Sequence, residues 1–355
     1  MVRQAYHPVR FLAPHFQKVM AGYTEQRRRS ALQVFAAVLI IIAGCEPQAP
    51  ERKPLLKGKN LLTVDFKDGQ TLRYKFTSSR DVSIDWDPTK KSSRSTKDPT
   101  SQYTESMEMV VAYTPIEVDP YGLTTIKATC ESAKVRRSKG AQKDAVETLP
   151  GKSFTFTVGP TGRIEDYSRL EELMMETGEK AFRPNAQRGR VKEPDMIYDF
   201  AAFQWFLWDS VSSIENASEG VSIGQSWNSQ LAVPGPMIMK KARNVTYTLA
   251  EIRQTEKGRL AVISSTYSKT DSVHDRWPPL PYSGRFQMSG TFGFLSSYNI
   301  VELNGQGEEL FNIDAGRIEQ YNQQYKAVFS ASIPMGINAS PQIIINQNLK
   351  MQILE

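Results

Sequence analysis

The sequence predicts a mainly β fold: two similar antiparallel β-units joined by a helical segment. Three observations carry this expectation. Apolar residues recur at every second position through most of the chain beyond residue 61, the pattern of strands with one face on a core and one in water. Two stretches of the chain read alike at a separation of 154–155 residues. Between them the apolar spacing changes to that of a helix.

The first unit covers residues 61–167, and in it Met107, Met109, Val111 and Tyr113 share one face. In the second unit, residues 216–355, the same alternation joins Phe286, Met288, Gly290, Phe292 and Phe294. It joins Tyr321, Tyr325, Ala327 and Phe329, and finally Ile343, Ile345, Leu349, Met351 and Ile353. Phe156-Thr-Val-Gly-Pro-Thr-Gly-Arg-Ile-Glu-Asp-Tyr167 is similar to Phe311-Asn-Ile-Asp-Ala-Gly-Arg-Ile-Glu-Gln-Tyr321, with Gly162 aligned to Gly316. Asp68-Gly-Gln-Thr-Leu-Arg-Tyr74 is similar to Ile223-Gly-Gln-Ser-Trp-Asn-Ser229, with Gly69 aligned to Gly224. Between these, each half has a strand, a turn glycine and a strand, around Gly122 and around Gly258. That pair is shifted by 136, so residues 81–105 lengthen the first half and 268–284 the second. Like segments in like order imply a duplicated β-domain.

The connector spans residues 168–215. Ser168-Arg-Leu-Glu171 matches a capping box, followed by Leu170, Leu173, Met174 and Phe182 at helical spacing. A second helix is expected from Pro194 to Trp208, since proline suits a first turn. Met196, Phe200, Phe203 and Leu207 form one face, and Tyr198, Ala201, Trp205 and Trp208 another. A helix apolar nearly all round is buried, which places it between the two expected sheets.

The start of the chain has a different character. Residues 1–30 carry Arg3, Arg10, Lys18 and Arg27-Arg28-Arg29, an apolar run fills 31–43, and Gly44-Cys45 follows. A basic end, a short apolar run and small residues are the marks of an export signal. The run is shorter than the roughly 20 residues that span a bilayer as a helix. Ile42-Ala43-Gly44-Cys45 resembles the lipobox of bacterial lipoproteins. The resemblance implies cleavage before Cys45, lipidation of its thiol (a diacylglyceryl group, with palmitate as a typical chain) and residence on the exported side of a bacterial cell membrane. Met20 is an alternative start, and the arginines are also weakly similar to a twin-arginine signal. Residues 1–44 are thus the expected signal peptide and 45–60 a tether, charged and proline-rich through Pro54.

Removing the signal changes the charge. Residues 1–44 hold six of the 44 basic side chains and one of the 38 acidic, leaving 38 against 37, a net charge near +1. No global basic surface remains to favour nucleic acid. With Cys45 as the anchor, Cys130 has no disulfide partner and reads as a small buried hydrophobe.

No constellation reads as catalytic. His274, within Asp271-Ser-Val-His-Asp275, is the one histidine beyond the signal, and adjacent residues do not assemble a triad. One histidine and one unmodified cysteine cannot supply a structural zinc site. Asp81, Asp85 and Asp87 lack calcium-loop spacing. Glu165, Asp166 and Glu319 could pair as hydrolase carboxylates, but they read more simply as exposed cross-strand partners of arginine. Gly305-Gln-Gly307 reads as a hairpin turn. Lys90-Lys91, Arg94 and Lys97, like Arg136-Arg137, Lys139 and Lys143, read as solvated loops or as contacts to anionic lipid or cell-wall polymer.

The sequence therefore predicts a membrane-tethered lipoprotein of the cell envelope with a non-enzymatic binding or scaffolding role, needing no cofactor or metal. Its partners would be the membrane, through Cys45, and an envelope protein, a polymer or a hydrophobic ligand. One alternative is a carrier of a lipid or other apolar ligand, similar to the half-barrel families that carry lipids and lipoproteins, with Phe200, Phe203, Trp205, Phe206 and Trp208 lining the cavity. The other is a carboxylate-dependent envelope hydrolase.

Overall fold

The computed structural model describes residues 58–88, 100–138, 143–181, 189–191, 196–233, 241–270, 286–288, 295–333 and 340–354. The lipobox, the tether as far as residue 57, Phe182, His274 and the basic runs near residues 90–97 lie outside them.

Successive side chains of a strand point to opposite faces, and the alternating sequence uses this consistently. In β2 (Leu72–Asp85), Tyr74, Phe76, Ser78, Arg80, Val82 and Ile84 are buried while their neighbours are partly or fully exposed. A short β1 (Lys59–Asn60) precedes it; β3 (Thr100–Val118), β4 (Thr124–Arg137), β5 (Ser153–Val158) and β6 (Ile164–Asp166) follow. Three helices come next: α1 (Ser168–Ala181), α2 (Ile197–Phe206) and α3 (Asp209–Ser212), with β7 (Gly189–Val191) between α1 and α2. The chain then forms β8 (Val221–Ser222), β9 (Ser226–Ala232), β10 (Ala242–Thr255), β11 (Gly258–Lys269), β12 (Phe286–Met288), β13 (Ser296–Asn312), β14 (Arg317–Ser332) and β15 (Gln342–Leu354). β1 pairs with β8, and β7 pairs in parallel with β12.

The other eleven strands form one antiparallel sheet in the order β6-β5-β4-β3-β2-β15-β14-β13-β11-β10-β9. The chain meanders from β2 out to β6, passes through the helices to the opposite edge at β9, and meanders back until β15 meets β2. Their pairing runs from Gln342 with Asp85 to Leu354 with Arg73. The expected units thus share a single sheet, and the helices do not lie between two sheets. The C-terminal strand occupies the edge of β2 that a free-standing first unit would leave unpaired.

The sheet is rolled, and α2 is inside it. Phe200 meets Phe154 of β5 at 6.0 Å between ring centroids, and Phe206 lies 5.2 Å from the guanidinium of Arg243 on β10. Eight strand spacings separate β5 from β10, roughly 38 Å across a flat sheet. Phe200 and Phe206 are about 9 Å apart along the helix. One short helix touches both strands only if the sheet curls around it.

One end of the roll is closed by the segment leading into β2, where Leu62 and Val64 are buried. Two turns press on consecutive residues of this segment. A Cβ on Gly162 would stand 2.9 Å from Val64 Cγ2 and from Trp208 Cβ, while Gly316 abuts Asp65, whose N–H donates to Gly316 O at 2.9 Å. Gly162 has φ +87°. Gly162→Ala therefore combines backbone strain with a clash and is expected to cost about 1–3 kcal/mol, read as a lower urea midpoint. Gly69→Ala, at φ +70° with nothing within 4 Å, should cost less.

Several local expectations change. The start of α1 is held by Asp166, which accepts from Ser168 N at 2.9 Å, two residues upstream of the expected cap. Gly305 and Gly307 lie within β13, where side chains would strike Tyr325 and Ser265, so they permit close approach of neighbouring strands and make no turn. Arg136 and Arg137 belong to β4, and Arg137 is ion-paired inside the fold.

Candidate functional site

The interior of the roll is the most distinctive environment in the molecule. Nine of the ten α2 residues are buried. Phe203 packs on Phe76 at 5.0 Å and on Tyr321 at 6.5 Å. Trp208, just beyond the helix, packs on Tyr113 at 6.1 Å and Phe156 at 5.8 Å. Trp205 is half-buried against Tyr167 at 5.1 Å. Of the five aromatics that the carrier alternative assigns to a cavity, Phe200, Phe203, Phe206 and Trp208 are buried in the interior of the roll. One surface cleft is lined by other side chains, among them Gln70, Lys257, Arg317 and Glu319.

Two buried polar clusters flank α2. In the first, Arg80 Nε donates to Glu105 at 2.6 Å and Nη1 to Asp199 of α2 at 3.0 Å. Glu105 also receives Arg137 Nε at 3.2 Å, and Arg137 pairs with Asp144. Asp144 accepts from Met196 N at 3.0 Å, directly before α2. The ladder thus leaves the first turn of α2, crosses β2, β3 and β4, and returns to the same turn. Ser78 Oγ adds a bond to Asp199 at 2.7 Å and receives Gln347 Nε2 at 2.7 Å. Carboxylates at a helix N-terminus are further favoured by its exposed amides. Burial works against the Arg80 charge, but Asp199 and Glu105 more than offset it and raise its pKa. Further along α2, Tyr113 OH donates to Gln204 at 2.6 Å.

The second cluster lies in the other half of the sheet. Arg243 is fully buried, with its guanidinium 4.6 Å from the Tyr267 ring and 4.4 Å from Tyr325. It donates to Gln323 Oε1 at 2.7 Å. Asp209 of α3 accepts from Tyr247 OH at 2.8 Å and Ser229 Oγ at 3.0 Å. Glu309 of β13 is fully buried. Ser210 and Gln323 flank its carboxyl and favour the anion, yet neither contact closes into a well-formed hydrogen bond. Seven side-chain atoms here have no hydrogen-bond partner: Ser210 Oγ, Arg243 Nε and Nη1, both Glu309 oxygens, Tyr321 OH and Gln323 Nε2.

Burial pushes the Asp209 carboxyl up to about 6 and that of Glu309 up to about 8. Both hold their proton more tightly folded than unfolded. Stability is therefore greatest below their ordinary pKa values and falls as pH rises, for Asp209 until about 6 and for Glu309 until about 8. Above pH 6 the Glu309 contribution persists, at up to about 1.4 kcal/mol per pH unit. Urea midpoints for Glu309→Gln should fall less between pH 6 and 8 than those of the parent. Equal slopes would contradict the assignment.

The remaining candidates are dispersed. Arg163, just before β6, pairs with Glu165 at 3.9 Å, and Arg317 pairs with Glu319 within β14 at 3.0 Å, so neither pair crosses between strands. Asp81 is exposed, and Asp85 accepts from Asp87 N at 3.0 Å. Among the described residues no group of three or more His, Cys, Asp or Glu could hold a metal ion. Cys130 is buried in β4, and burial pushes its thiol up to about 11.

No protein-family model matches this chain, and no curated protein matches it. A solved structure concerned with lipid–protein interactions in lipovitellin is similar at a TM-score of 0.37 and 10% sequence identity. The match covers 82% of this chain and 26% of that one, so this chain spans about a quarter of the lipovitellin chain.

The sequence pattern alone did not single out Arg80, Glu105, Asp199, Arg243 or Glu309. Their signal is nonetheless present, because each sheet residue of this set is a charged side chain on the inward phase of an apolar strand, as Arg80 is between Phe76 and Ile84.

Proposed function

We propose that this protein is an exported lipoprotein, held on a bacterial cell membrane by a lipidated Cys45, that binds an apolar ligand inside its rolled sheet. The observation that supports the ligand most is α2: an apolar helix that adds no strand to the sheet but fills its interior. Its polar ties are few, through Asp199, Gln204 and the following Asp209. An apolar guest entering between α2 and the sheet would meet apolar side chains on both sides, so its own transfer from water favours entry.

The roll itself reads as a duplication. The sheet order runs β6 to β2 and then, beyond β15, β14 to β9, so two five-stranded meanders follow one another in the same sense and with the same strand directions. The aligned glycines agree: Gly69 and Gly224, Gly122 and Gly258, and Gly162 and Gly316 all have positive φ. The second hairpin of each meander, β3–β4 and β10–β11, has a bulge on its first strand, between Pro115 and Glu117 and between Leu249 and Glu251. Duplication supplies enough strands to enclose a guest, where a five-stranded sheet would remain open.

Two experiments test the reading. Cys45→Ser is expected to move the protein from the membrane to the soluble fraction and to abolish palmitate labelling. Retention of both properties overturns the anchor. Residues 46–355 should bind an apolar fluorophore such as 1-aminoanthracene saturably, at one site, with displacement by lipid extract. Absence of saturable binding overturns the ligand.

A further inference from the structure

The two polar clusters differ in a way that the fold does not require. In the first, the carboxylates Asp199, Glu105 and Asp144 all have partners, and the unpaired atoms are Arg80 Nη2 and Gln347 Oε1. The second leaves Ser210, Arg243, Glu309, Tyr321 and Gln323 with unpaired atoms, all in side chains buried to 1% exposure or less. Arg243 spends its aromatic contacts on its faces and one edge on Gln323, leaving Nε and Nη1 as free donors. Gln323 Nε2 is a third donor group. The three unpaired nitrogens face only two unpaired carboxyl oxygens, those of Glu309, while the Ser210 and Tyr321 hydroxyls both donate and accept, so the set has room for a further oxygen acceptor.

Glycines also bring polar side chains of the neighbouring strands close to this cluster. Gly305 and Gly307 precede Glu309 at the same strand phase, and a Cβ at Gly307 would stand 2.6 Å from Ser265 Oγ. Glycine in a strand interior marks close approach of another group. α3 brings Ser210 to the same place, and Phe206 at the end of α2 lies over Arg243, so the cluster adjoins the apolar interior.

We propose that this cluster is the head-group site for the ligand: Arg243 and Gln323 donate to the carboxylate of a long-chain amphiphile whose tail lies along the apolar interior. Glu309, Tyr321 and Ser210 complete the shell around the head-group oxygens. Asp209, engaged with Tyr247 and Ser229, remains as the balancing charge near Arg243. The proposal rests on the apolar-ligand reading above and adds polarity and orientation to it.

The test compares heads on one chain. Hexadecanoate and hexadecylamine would each be titrated against residues 46–355 carrying 1-aminoanthracene, with circular dichroism confirming the fold of every variant. Hexadecanoate should displace the dye at least tenfold more effectively than hexadecylamine. Arg243→Met should reduce that advantage to less than threefold. Gln323→Leu, which keeps the buried charge and is the milder change, should reduce it measurably and decides the matter if Arg243→Met does not fold. Equal displacement by both heads overturns the head-group site while leaving an apolar site intact. A carboxylate advantage unmoved by the variants also overturns it, because the head is then read elsewhere. If neither compound displaces the dye, or the dye does not bind, the apolar-ligand reading fails and this inference with it.

Discussion

Replacing Arg80 with methionine is expected to destabilise the folded body by about 3–5 kcal/mol, the usual consequence of leaving buried charges unpaired. The side chain is fully buried between Glu105 and Asp199, and methionine fills its volume without neutralising either acid. The effect should be readable as a large drop in urea midpoint, with α2 the first element to lose amide protection. Adding Asp199→Asn to Arg80→Met should recover part of the loss, since one orphaned charge disappears. A double variant no better than the single would mean that the ladder contributes little to holding the helix. The geometry argues otherwise, because the ladder begins and ends on the first turn of α2.

Phe203→Ala is expected to cost a similar amount, about 3–5 kcal/mol, through lost transfer free energy and the cavity left behind. Phe203 is completely buried, with Phe76 from one half of the sheet and Tyr321 from the other against its ring. This variant also bears on function. A cavity lined by these rings should accept a small aromatic guest, so benzene or indole in solution should raise the urea midpoint of Phe203→Ala by more than that of the parent. No rescue would indicate that α2 collapses into the space.

Much of the strand pattern was legible before any coordinates. Met107 to Tyr113, Tyr321 to Phe329 and Ile343 to Met351 face inward in the phase that their alternation implies. The apolar helix was legible for the same reason: a segment without a polar face must be buried. Its surroundings were not. Periodicity fixes which side of a strand is apolar but says nothing about which strand lies alongside. The pairing of β15 with β2, which merges two expected units into one roll, joins residues about 270 positions apart. Gly305 and Gly307 misled because glycine marks a turn and a close approach equally well, and only the neighbouring Tyr325 and Ser265 separate the two. Arg137 misled because a basic pair near lysines resembles a loop until Glu105 and Asp144 are placed beside it. The candidate site was legible as aromatic mass around residues 200–208, but its polar half was hidden in residues scattered from Ser210 to Gln323.

The most direct test of the central claim is native mass spectrometry of residues 46–355 after incubation with a lipid extract, after organic extraction and after re-incubation. An interior that exchanges its apolar filling predicts one stoichiometric adduct that extraction removes and re-incubation restores. A clean, unliganded mass under all three conditions would contradict the account and make α2 an ordinary core helix.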